Sequence, residues 1–492
     1  MRRAGMALVW LWAVASCADE PADARQARVL GSIAAFDESM IRARPALAAG
    51  KYAKMAGNPF DYHRGAVPVF RTDMRSGGTT VSGSRFELSV PLVPSLGDPH
   101  PENFGVLLGG DGLRTLEPND FDAADRAPYL WDVRRMAVSM AMVTYAANAD
   151  DPTAQQLLLG AAGEVVARAV TAYAETIGAL ARGAEAPAVL VAQQTPILAD
   201  LLRRSARDEA SRQELTELTE FRDGARVFRR GSVDPEDPQS VLANLPPYAL
   251  RALPPAVAAY RRTLLSAPPS EDLQILDAVR QFGSGVASWP RIRVLLLVRG
   301  PTAEPGDDIV LELKELADSG IGGLAPPFVY ADSVQERTLS LARASWSRPV
   351  AAPLWGTTSL LGLPCQVRLK SEGQKSVRVE RMVGDRGTKE AVGDLGTQIG
   401  IIVARVHGGA DRDAARLIAQ RIAQDPTGFV DEQVRVALDY AKLTIADHAR
   451  FRAGLARVGP RLGLPFDPTD TPSPDAQMLI GVPPAAPPAV TP

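Results

Sequence analysis

Apolar and polar residues follow two different periods along the chain, and each period predicts a different type of secondary structure. Residues 104–108 and 113–117 alternate like strands around a Gly-Gly-Asp-Gly turn, which predicts a hairpin. Residues 88–93 predict another strand just upstream, and residues 131–148 have the spacing of a helix. The first third of the chain is therefore expected to mix short strands with helices.

The middle of the chain has the pattern of packed helices. Residues 151–270 are predicted to be almost wholly helical, with Asp151 as the N-cap and Pro152 at the first helical position. Prolines cluster between residues 235 and 269, and this cluster predicts a boundary near residue 270.

β-Branched runs return after this boundary and predict a small antiparallel sheet within residues 275–385. Its expected strands are residues 292–298, 309–313, 366–369 and 376–379, the last two joined by a Ser-Glu-Gly-Gln turn. Helices are expected over residues 331–346, 395–408, 411–424 and 431–456, and the proline-rich sequence after residue 465 predicts disorder. The pattern as a whole predicts an α+β fold.

Length and composition set the class of protein. A chain of 492 residues can form two or three lobes, because single hydrophobic cores stop growing at about 250–300 residues. Its hydrophobic fraction of 46% and charged fraction of 23% are those of an ordinary globular protein. A net charge of −3 provides no electrostatic field to hold a polyanion, so we expect no nucleic acid partner.

The N-terminus has the pattern of an export signal. Arg2 and Arg3 precede an apolar run, residues 6–14, that is too short to cross a bilayer as a helix. The run leads into Val-Ala-Ser before Cys17, which resembles a lipobox. We expect residues 1–17 to be a lipoprotein signal peptide and the mature protein to be exported, with lipidated Cys17 anchoring it to a membrane of the cell envelope. An ordinary signal peptide and an uncleaved anchor are the alternatives.

Cysteine and histidine are too few and too scattered for a zinc site. Apart from Cys17 the chain has only Cys365, so lipidation of Cys17 would leave no pair for an internal disulfide. The histidines lack the HExxH spacing. His407 and His448 lie at helical spacing among apolar residues and are predicted to be packing residues.

The candidate chemistry lies at the two ends of the predicted hairpin. Asp98 and Asn103 stand in a loop, Gly-Asp-Pro-His-Pro-Glu-Asn, and such a loop can present an aspartate to a hydroxyl group and an asparagine oxygen to Mg²⁺. The hairpin should return the chain to the level of Asn103 at about Asp120, a second hard oxygen ligand. Asp122 is a further ligand or a hydrogen-bond partner of the loop, and His100 is expected to support it. Each feature taken singly also fits a plain turn.

Residues 51–140 look like the bacterial family known as domain of unknown function 2252, with looser similarity from about residue 40 to 455. The matching stretches are Lys-Met at 54–55, Asn-Pro-Phe at 58–60, Arg-Gly at 64–65, GDPHPENFG at 97–105, NDFDAAD at 119–125 and residues 131–139. The central motifs are also similar to those of aminoglycoside and choline phosphotransferases. This resemblance implies that Asp98 is the catalytic residue, that Asn103 and Asp120 bind the metal, and that Asp132 braces the loop. The histidine that normally begins the motif is absent, because Leu96 stands before Gly97.

The resemblance further implies a kinase-like fold of two lobes, circularly permuted because no nucleotide lobe fits upstream of Asp98. Gly283, Gly285 and Lys314 would then bind the nucleotide, and Glu336 would pair with Lys314. A plain turn, a solvated strand end and a surface glutamate are the respective alternatives. Arg64 is expected either to hold an anionic group or to pair with Asp120 or Asp122.

These expectations divide the chain into six parts. They are a signal peptide (1–17), a tether and lead-in helix (18–40), a catalytic-loop hairpin with a helical lobe (41–270), a small β-rich nucleotide-type lobe (271–390), C-terminal helices (391–465) and a disordered tail (466–492).

Three functions fit these residues. The first is phosphoryl or nucleotidyl transfer from ATP, with Mg²⁺, to an acceptor that the sequence does not identify. The second is a catalytically inactive kinase-like binding or scaffold lipoprotein, which the scarcity of ATP outside the cytoplasmic membrane favours. The third is a metal-dependent hydrolase that uses the same carboxylates. The oligomeric state stays open.

Overall fold

The computed structural model describes residues 21–76, 79–190, 195–232, 241–268, 273–302, 304–316, 333–348, 352–370 and 373–465. The expected signal peptide, Cys17 and the expected disordered tail lie outside the described residues. The fold is mixed α+β, as predicted.

Helices occur near both ends of the described chain and between its groups of strands. They are α1 (Ala22–Ala43), α2 (Pro45–Gly57), α3 (Pro59–Gly65), α4 (Val67–Ser76), α5 (Tyr129–Ala146), α6 (Pro152–Gly160), α7 (Ala162–Ala181), α8 (Pro196–Ser211), α9 (Gln213–Leu218), α10 (Pro247–Arg261), α11 (Val334–Ser345), α12 (Lys389–Gly408), α13 (Arg412–Ala423) and α14 (Pro426–Val458). Asp151 caps α6, as expected, by accepting hydrogen bonds from the N–H groups of Thr153 and Ala154.

Among the described residues, the strands form two sheets of three or more strands and two shorter ladders. They are β1 (Val93–Ser95), β2 (Phe104–Leu108), β3 (Arg114–Pro118), β4 (Asp125–Ala127), β5 (Thr219–Arg222), β6 (Ala225–Phe228), β7 (Gly231–Ser232), β8 (Val241–Asn244), β9 (Ile275–Gln281), β10 (Arg293–Val298), β11 (Ile309–Glu315), β12 (Gly356–Leu360), β13 (Leu363–Leu369) and β14 (Lys375–Ser376).

The larger sheet has seven antiparallel strands in the order β12-β13-β11-β10-β9-β8-β7. Its strand β11 alternates in character: Leu311 and Leu313 are buried in the core shared with α10, and Glu312 and Lys314 point to the opposite face. Both charged residues lie in the middle of the sheet, because β10 pairs with one edge of β11 and β13 with the other.

The predicted hairpin of β2 and β3 belongs to a smaller sheet of three strands, ordered β14-β2-β3. Phe104 pairs with Pro118, so the two ends of the hairpin lie side by side. Lys375 pairs with Val106, and the chain thus returns from the seven-stranded sheet directly onto the hairpin.

The largest hydrophobic core lies among α5, α7, α12 and α14 and extends under the hairpin. Helix α5 is buried on nearly every side. Helices α7 and α12 pack so closely at Gly400 that there is no room for a side chain. A Cβ atom there would stand 2.2 Å from the carbonyl oxygen of Ala169. No single helix among the described residues is long and apolar enough for a membrane span, and only the bent pair α6 and α7 fits one by length and composition.

A buried ion cluster ties the first helix to the last. Arg25 of α1 donates to Asp73 of α4 at 2.6 Å and to Asp447 of α14 at 3.0 Å. Tyr440 completes the cluster by donating its hydroxyl group to Asp73 at 2.7 Å. All of these side chains are buried.

Several sequence expectations about the elements are wrong. Residues 151–270 are not almost wholly helical, since β5 to β8 lie within them, and β8 and α10 pack with the sheet. The expected boundary at residue 270 therefore falls inside the β-rich lobe. Strands 366–369 and 376–379 do not form a hairpin, because β13 pairs with β11 and β12 and β14 pairs with β2. Residues 88–92 are not a strand.

Candidate functional site

Asp132 holds the loop that carries Asp98. Its carboxylate, fully buried at the start of α5, accepts hydrogen bonds from the backbone N–H groups of Leu96 at 2.7 Å and Gly97 at 2.8 Å. Ser95 donates its hydroxyl group to the same carboxylate, and His407 lies 3.2 Å away. Gly97 has a φ of +71°, and a Cβ there would meet the carbonyl oxygen of Ala123 at 2.0 Å. The expected bracing role of Asp132 agrees with these contacts.

Asp98 is buried at the edge of a cleft and has one oxygen engaged. Arg135 of α5 donates its Nε to Oδ1 of Asp98 at 2.8 Å and also contacts the backbone oxygen of His63. His100 Nε2 lies 3.6 Å from Oδ2 of Asp98, beyond hydrogen-bond distance. Asn103 donates its amide to the backbone oxygen of Asp98 at 2.9 Å, which closes the loop. Among the described residues, the side-chain hydrogen bond of Asp98 is made by Oδ1, and Oδ2 faces His100 at 3.6 Å.

The register of the β2–β3 hairpin brings Asp120 and Asp122 close to the loop that carries Asp98 and Asn103. The N–H group of Asn119 donates to the backbone oxygen of Asn103 at 2.9 Å, so Asp120 follows one residue beyond the loop. Asp120 Oδ1 accepts from the N–H group of Asp122 at 3.1 Å, which turns both carboxylates to one side.

Lys314 joins these two carboxylates to the sheet. Its Nζ lies 3.2 Å from Asp120 Oδ2 and 2.6 Å from Asp122 Oδ2. The lysine is buried, whereas a third of the Asp120 side chain is exposed. Burial raises the pKa of Asp120, but the charges of Lys314 and Arg368 with two hydrogen bonds outweigh it and lower that pKa to about 2. Asp120 is therefore ionised at neutral pH.

A second charged cluster lies beside Lys314 on the same face of the sheet. Glu312 is fully buried and accepts from Arg293 at 2.5 Å and from Arg368 at 2.8 Å, with Lys370 at 3.9 Å. Burial raises the pKa of Glu312, but the charges of Arg368, Arg293 and other cations outweigh this effect, so the pKa lies well below its usual range. The single negative charge of Glu312 is thus shared by three cations, Arg293, Arg368 and Lys370. The side of the cleft that these cations line is therefore positively charged.

The cleft between the loop and the sheet has a volume of about 440 Å³. Asp98, Asn103, Asp120 and Asp122 line it on one side, and the turn that contains Gly285 lines it on the other. Gly283 and Gly285 both have positive φ angles, +70° and +80°, in the connection between β9 and β10. The glycine turn and the candidate catalytic loop therefore face one cavity.

Two pairings that the sequence left open are not formed among the described residues, and Glu336 is instead the surface glutamate of the alternative. Glu336 is exposed in the first turn of α11, and Lys314 pairs with Asp120 and Asp122 instead. Arg64 does not pair with these aspartates either; it contacts Asp61 at 3.1 Å and Glu102 at 2.9 Å while lining the cleft.

The cleft offers mixed oxygen ligands to a divalent cation. Among the described residues no group of three or more His, Cys, Asp or Glu side chains is arranged to hold a metal, so carboxylates alone do not form a site. Asp122 Oδ1 is nevertheless buried without a hydrogen-bond partner, which leaves a ligand atom for a cation. Asp120, Asp122 and Asn103 are oxygen donors of the kind that Mg²⁺ uses alongside water and phosphate.

Sequence reasoning missed the arginines that shape the site. Arg135 stands in an apolar helix, where a buried cation signals a carboxylate partner, and Arg368 and Glu312 alternate with apolar residues in their strands. The alternation of charged and apolar residues could have indicated that these charges are buried. It could not have indicated which charged residues pair with each other.

One sequence family matches most of the chain. The family described as "Uncharacterized protein conserved in bacteria (DUF2252)" matches residues 42–454. The chain belongs to this family. The DUF2252 region spans the loop, the hairpin, the seven-stranded sheet and the helical core, so the expected family membership is confirmed. No curated protein and no solved structure matches the chain significantly.

Proposed function

We propose that this DUF2252 protein is a kinase-like phosphotransferase that transfers a phosphoryl or nucleotidyl group from ATP, with Mg²⁺, to an acceptor hydroxyl group. The observation that carries the proposal is the meeting of Lys314 with Asp120 and Asp122 at the cleft that Asp98 lines. A lysine from a central strand and carboxylates that follow a loop aspartate are the parts from which phosphoryl-transfer sites are built.

The topology of the sheet supports a permuted nucleotide lobe. Strands β9, β10 and β11 follow one another as neighbours, the glycine turn joins the first two, and Lys314 lies on the third. Helix α11 precedes β12 and β13, which complete the sheet beside β11. This sequence of a glycine turn, a lysine strand, a helix and two strands is what the circular permutation requires downstream of the loop.

The residues of the site divide the work as follows. Asp120, Asp122 and Asn103 would hold Mg²⁺, which neutralises phosphate charge when it is bound. Lys314 would bind a phosphate oxygen of the donor. Asp98 would orient the acceptor hydroxyl group through Oδ2 and take its proton, while Arg135 fixes the carboxylate through Oδ1.

Thermal unfolding with and without ligand tests the nucleotide site. Mg–ATP at about 100 times its Kd should stabilise the wild-type protein by about 2.7 kcal/mol and raise its Tm. Asp120→Asn should abolish this ligand-dependent shift, because the variant loses the charge that holds the metal. Glu209→Gln is the matched control, since Glu209 is an exposed carboxylate that pairs with Arg114.

Each outcome selects one function. A wild-type Tm that Mg–ATP leaves unchanged would contradict the phosphotransferase and favour the inactive scaffold lipoprotein. Hydrolysis supported by Mg²⁺ without nucleotide would instead favour the metal-dependent hydrolase.

We also propose that the protein is an exported lipoprotein of the cell envelope, anchored through Cys17. The support is the lipobox-like sequence before Cys17 and the start of α1 at Ala22, only a few residues later. Mass spectrometry of the membrane fraction should find the mature N-terminus at a fatty-acylated Cys17, and Cys17→Ser should remove it from that fraction. An intact residue 1 in the wild-type protein would contradict the anchor.

A further inference from the structure

Arg368 lies beside the candidate metal ligands, on the face of the seven-stranded sheet that borders the cleft. In the register of β11 and β13 it pairs directly with Glu312, so the two side chains share one face. The Nε of Arg368 donates to Oε2 of Glu312 at 2.8 Å, and its Nη1 donates to the backbone oxygen of Asn119 at 2.9 Å. Asn119 directly precedes Asp120. The guanidinium group therefore joins the sheet to the segment that carries the carboxylates of the site.

These contacts fix the guanidinium group of Arg368 in one orientation. Its centre also lies 5.8 Å from the centroid of the Trp355 ring. The side chain is 23% exposed, whereas its partner Glu312 is fully buried. A side chain that is fixed before a ligand arrives loses little conformational entropy when it binds that ligand.

One nitrogen of this guanidinium group is unused. Nε and Nη1 of Arg368 have acceptors, but Nη2 donates to none among the described residues, and no ion pair within 4.0 Å joins Arg368 to Asp120 or Asp122 there. Arg368 and both aspartates line the cleft. An anion bound in the cleft could thus accept hydrogen bonds from Nη2 without displacing a contact of the protein.

Arg293, the second arginine on Glu312, is not available in the same way. Its Nη1 donates to Glu312 at 2.5 Å, its Nη2 donates to the hydroxyl oxygen of Ser288 at 2.7 Å, and its side chain is only 7% exposed. Arg293 therefore already supplies the buried carboxylate with a cation. The charge of Arg368 is not needed to neutralise Glu312, and its partly exposed guanidinium group can act on a ligand.

We propose that Arg368 is a catalytic residue whose Nη2 contacts the γ-phosphoryl group of ATP while that group is transferred. This inference rests on the proposed phosphotransferase function. The transition state of phosphoryl transfer spreads negative charge over the oxygens of the transferred group, and an arginine placed beside it stabilises that charge. Arg368 lies where this group would be held, next to Asp120 of the proposed metal site.

The transfer conserves atoms and charge. The acceptor oxygen forms a bond to the γ-phosphorus of ATP, and the bond from that phosphorus to the β–γ bridging oxygen breaks. ADP leaves with the electron pair, and the proton of the acceptor hydroxyl group passes to Asp98. Arg368 neither gains nor loses a proton, because a guanidinium group stays protonated in proteins, so it acts through its charge and its hydrogen bonds alone.

Thermal unfolding of the full chain tests this role without an acceptor, by comparing Mg–ADP alone with Mg–ADP plus aluminium fluoride. Aluminium fluoride beside ADP imitates the transferred phosphoryl group, and analogues of a transition state bind on the order of 100-fold or more tightly than ground-state ligands. The fluoride should therefore raise the Tm of the wild-type protein above its value in Mg–ADP. Arg368→Gln should weaken binding of the fluoride complex on the order of tenfold or more, the effect of losing one charge-assisted hydrogen bond, and should keep the shift that Mg–ADP causes.

Arg230→Gln is the matched control. Arg230 pairs with Asp277 of the same sheet at 2.6 Å but is not among the residues that line the cleft, so this variant should keep both shifts. Arg368→Lys repeats the test if Arg368→Gln does not fold. Lysine keeps a positive charge beside Glu312 but cannot reproduce the planar fork of contacts, so it should show the same loss of fluoride binding.

The outcomes separate this inference from the proposed function. An unchanged response of Arg368→Gln to aluminium fluoride overturns the inference and leaves the phosphotransferase standing. Equal losses of the Mg–ADP shift and of the fluoride increment also overturn it, because they would show a general effect on the nucleotide site. A wild-type protein to which the fluoride adds nothing beyond Mg–ADP overturns it as well, whereas a wild-type protein that Mg–ATP does not stabilise overturns both proposals.

Discussion

His100 is buried at the cleft, and its Nδ1 has no hydrogen-bond partner among the described residues. Burial lowers its pKa from 6.5 to about 4 in the folded protein, although Asp98 raises it. The unfolded chain therefore binds a proton near pH 6.5 that the folded protein takes up only near pH 4. The contribution of His100 to the free energy of unfolding is complete above pH 6.5 and is lost as the pH falls from 6.5 towards 4.

Replacing His100 should remove this pH dependence. Between pH 7 and pH 4 the wild-type protein should lose about 3 kcal/mol more of its free energy of unfolding than His100→Phe does, as measured by urea unfolding. His448→Phe is a comparison outside the cleft: burial also lowers the pKa of His448, although its hydrogen bond to the backbone oxygen of Ala56 opposes this, so the variant should lose part of the pH dependence in the same direction. Parallel pH profiles for the wild type and His100→Phe would contradict a depressed pKa.

Individual residues of the candidate site differ in how well their positions could be predicted from the sequence. Asp98, Asn103, Asp120 and Asp122 line one cleft, and this proximity could be predicted because a hairpin of fixed register connects them. The partners of Lys314 could not be predicted, because Asp120 and Asp122 lie in the loop after a strand of another sheet and are far from Lys314 in sequence.

At the scale of elements, close helix packing depends on glycine at some positions and tolerates a side chain at others. Gly400→Ala should lower the free energy of unfolding by about 1–3 kcal/mol, because the new methyl group would stand 2.2 Å from the backbone oxygen of Ala169 in α7. Gly31→Ala in α1 should raise it by about 0.5–1 kcal/mol, because Gly31 is helical and has no atom within 4 Å of the new Cβ. Urea unfolding of both variants measures the contrast, and equal signs would contradict this account of the packing.

The elements themselves were predicted unevenly. The hairpin of β2 and β3 was predicted to within one residue, because its alternation and its turn coincide. The pairing of β14 with β2 was not, since a strand of two residues has no period and gains its place only from its neighbours. The short strands β5 to β8 were missed within a helical region for the same reason.

At the scale of the whole molecule, the buried cluster around Arg25 joins helices that are far apart in sequence. Arg25→Met should lower the free energy of unfolding by about 3–5 kcal/mol, because it leaves Asp73 and Asp447 buried without their cation. Arg457→Met, which removes only an exposed contact to Gln26 between the same two helices, should change it by less than about 0.5 kcal/mol. Similar losses in the two variants would show that the cluster does not hold the termini together.

The small sheet under the cleft also constrains how the protein acquires its structure. Asn119 donates to Ser376, 257 residues further along the chain, and the two residues of β14 add the third strand to the hairpin. Contacts of such long range form slowly, because a large loop must close before they contribute. The cleft is thus completed only after the sheet has assembled with its last strand, and a refolding chain should recover helical circular dichroism before it recovers the proposed binding of Mg–ATP.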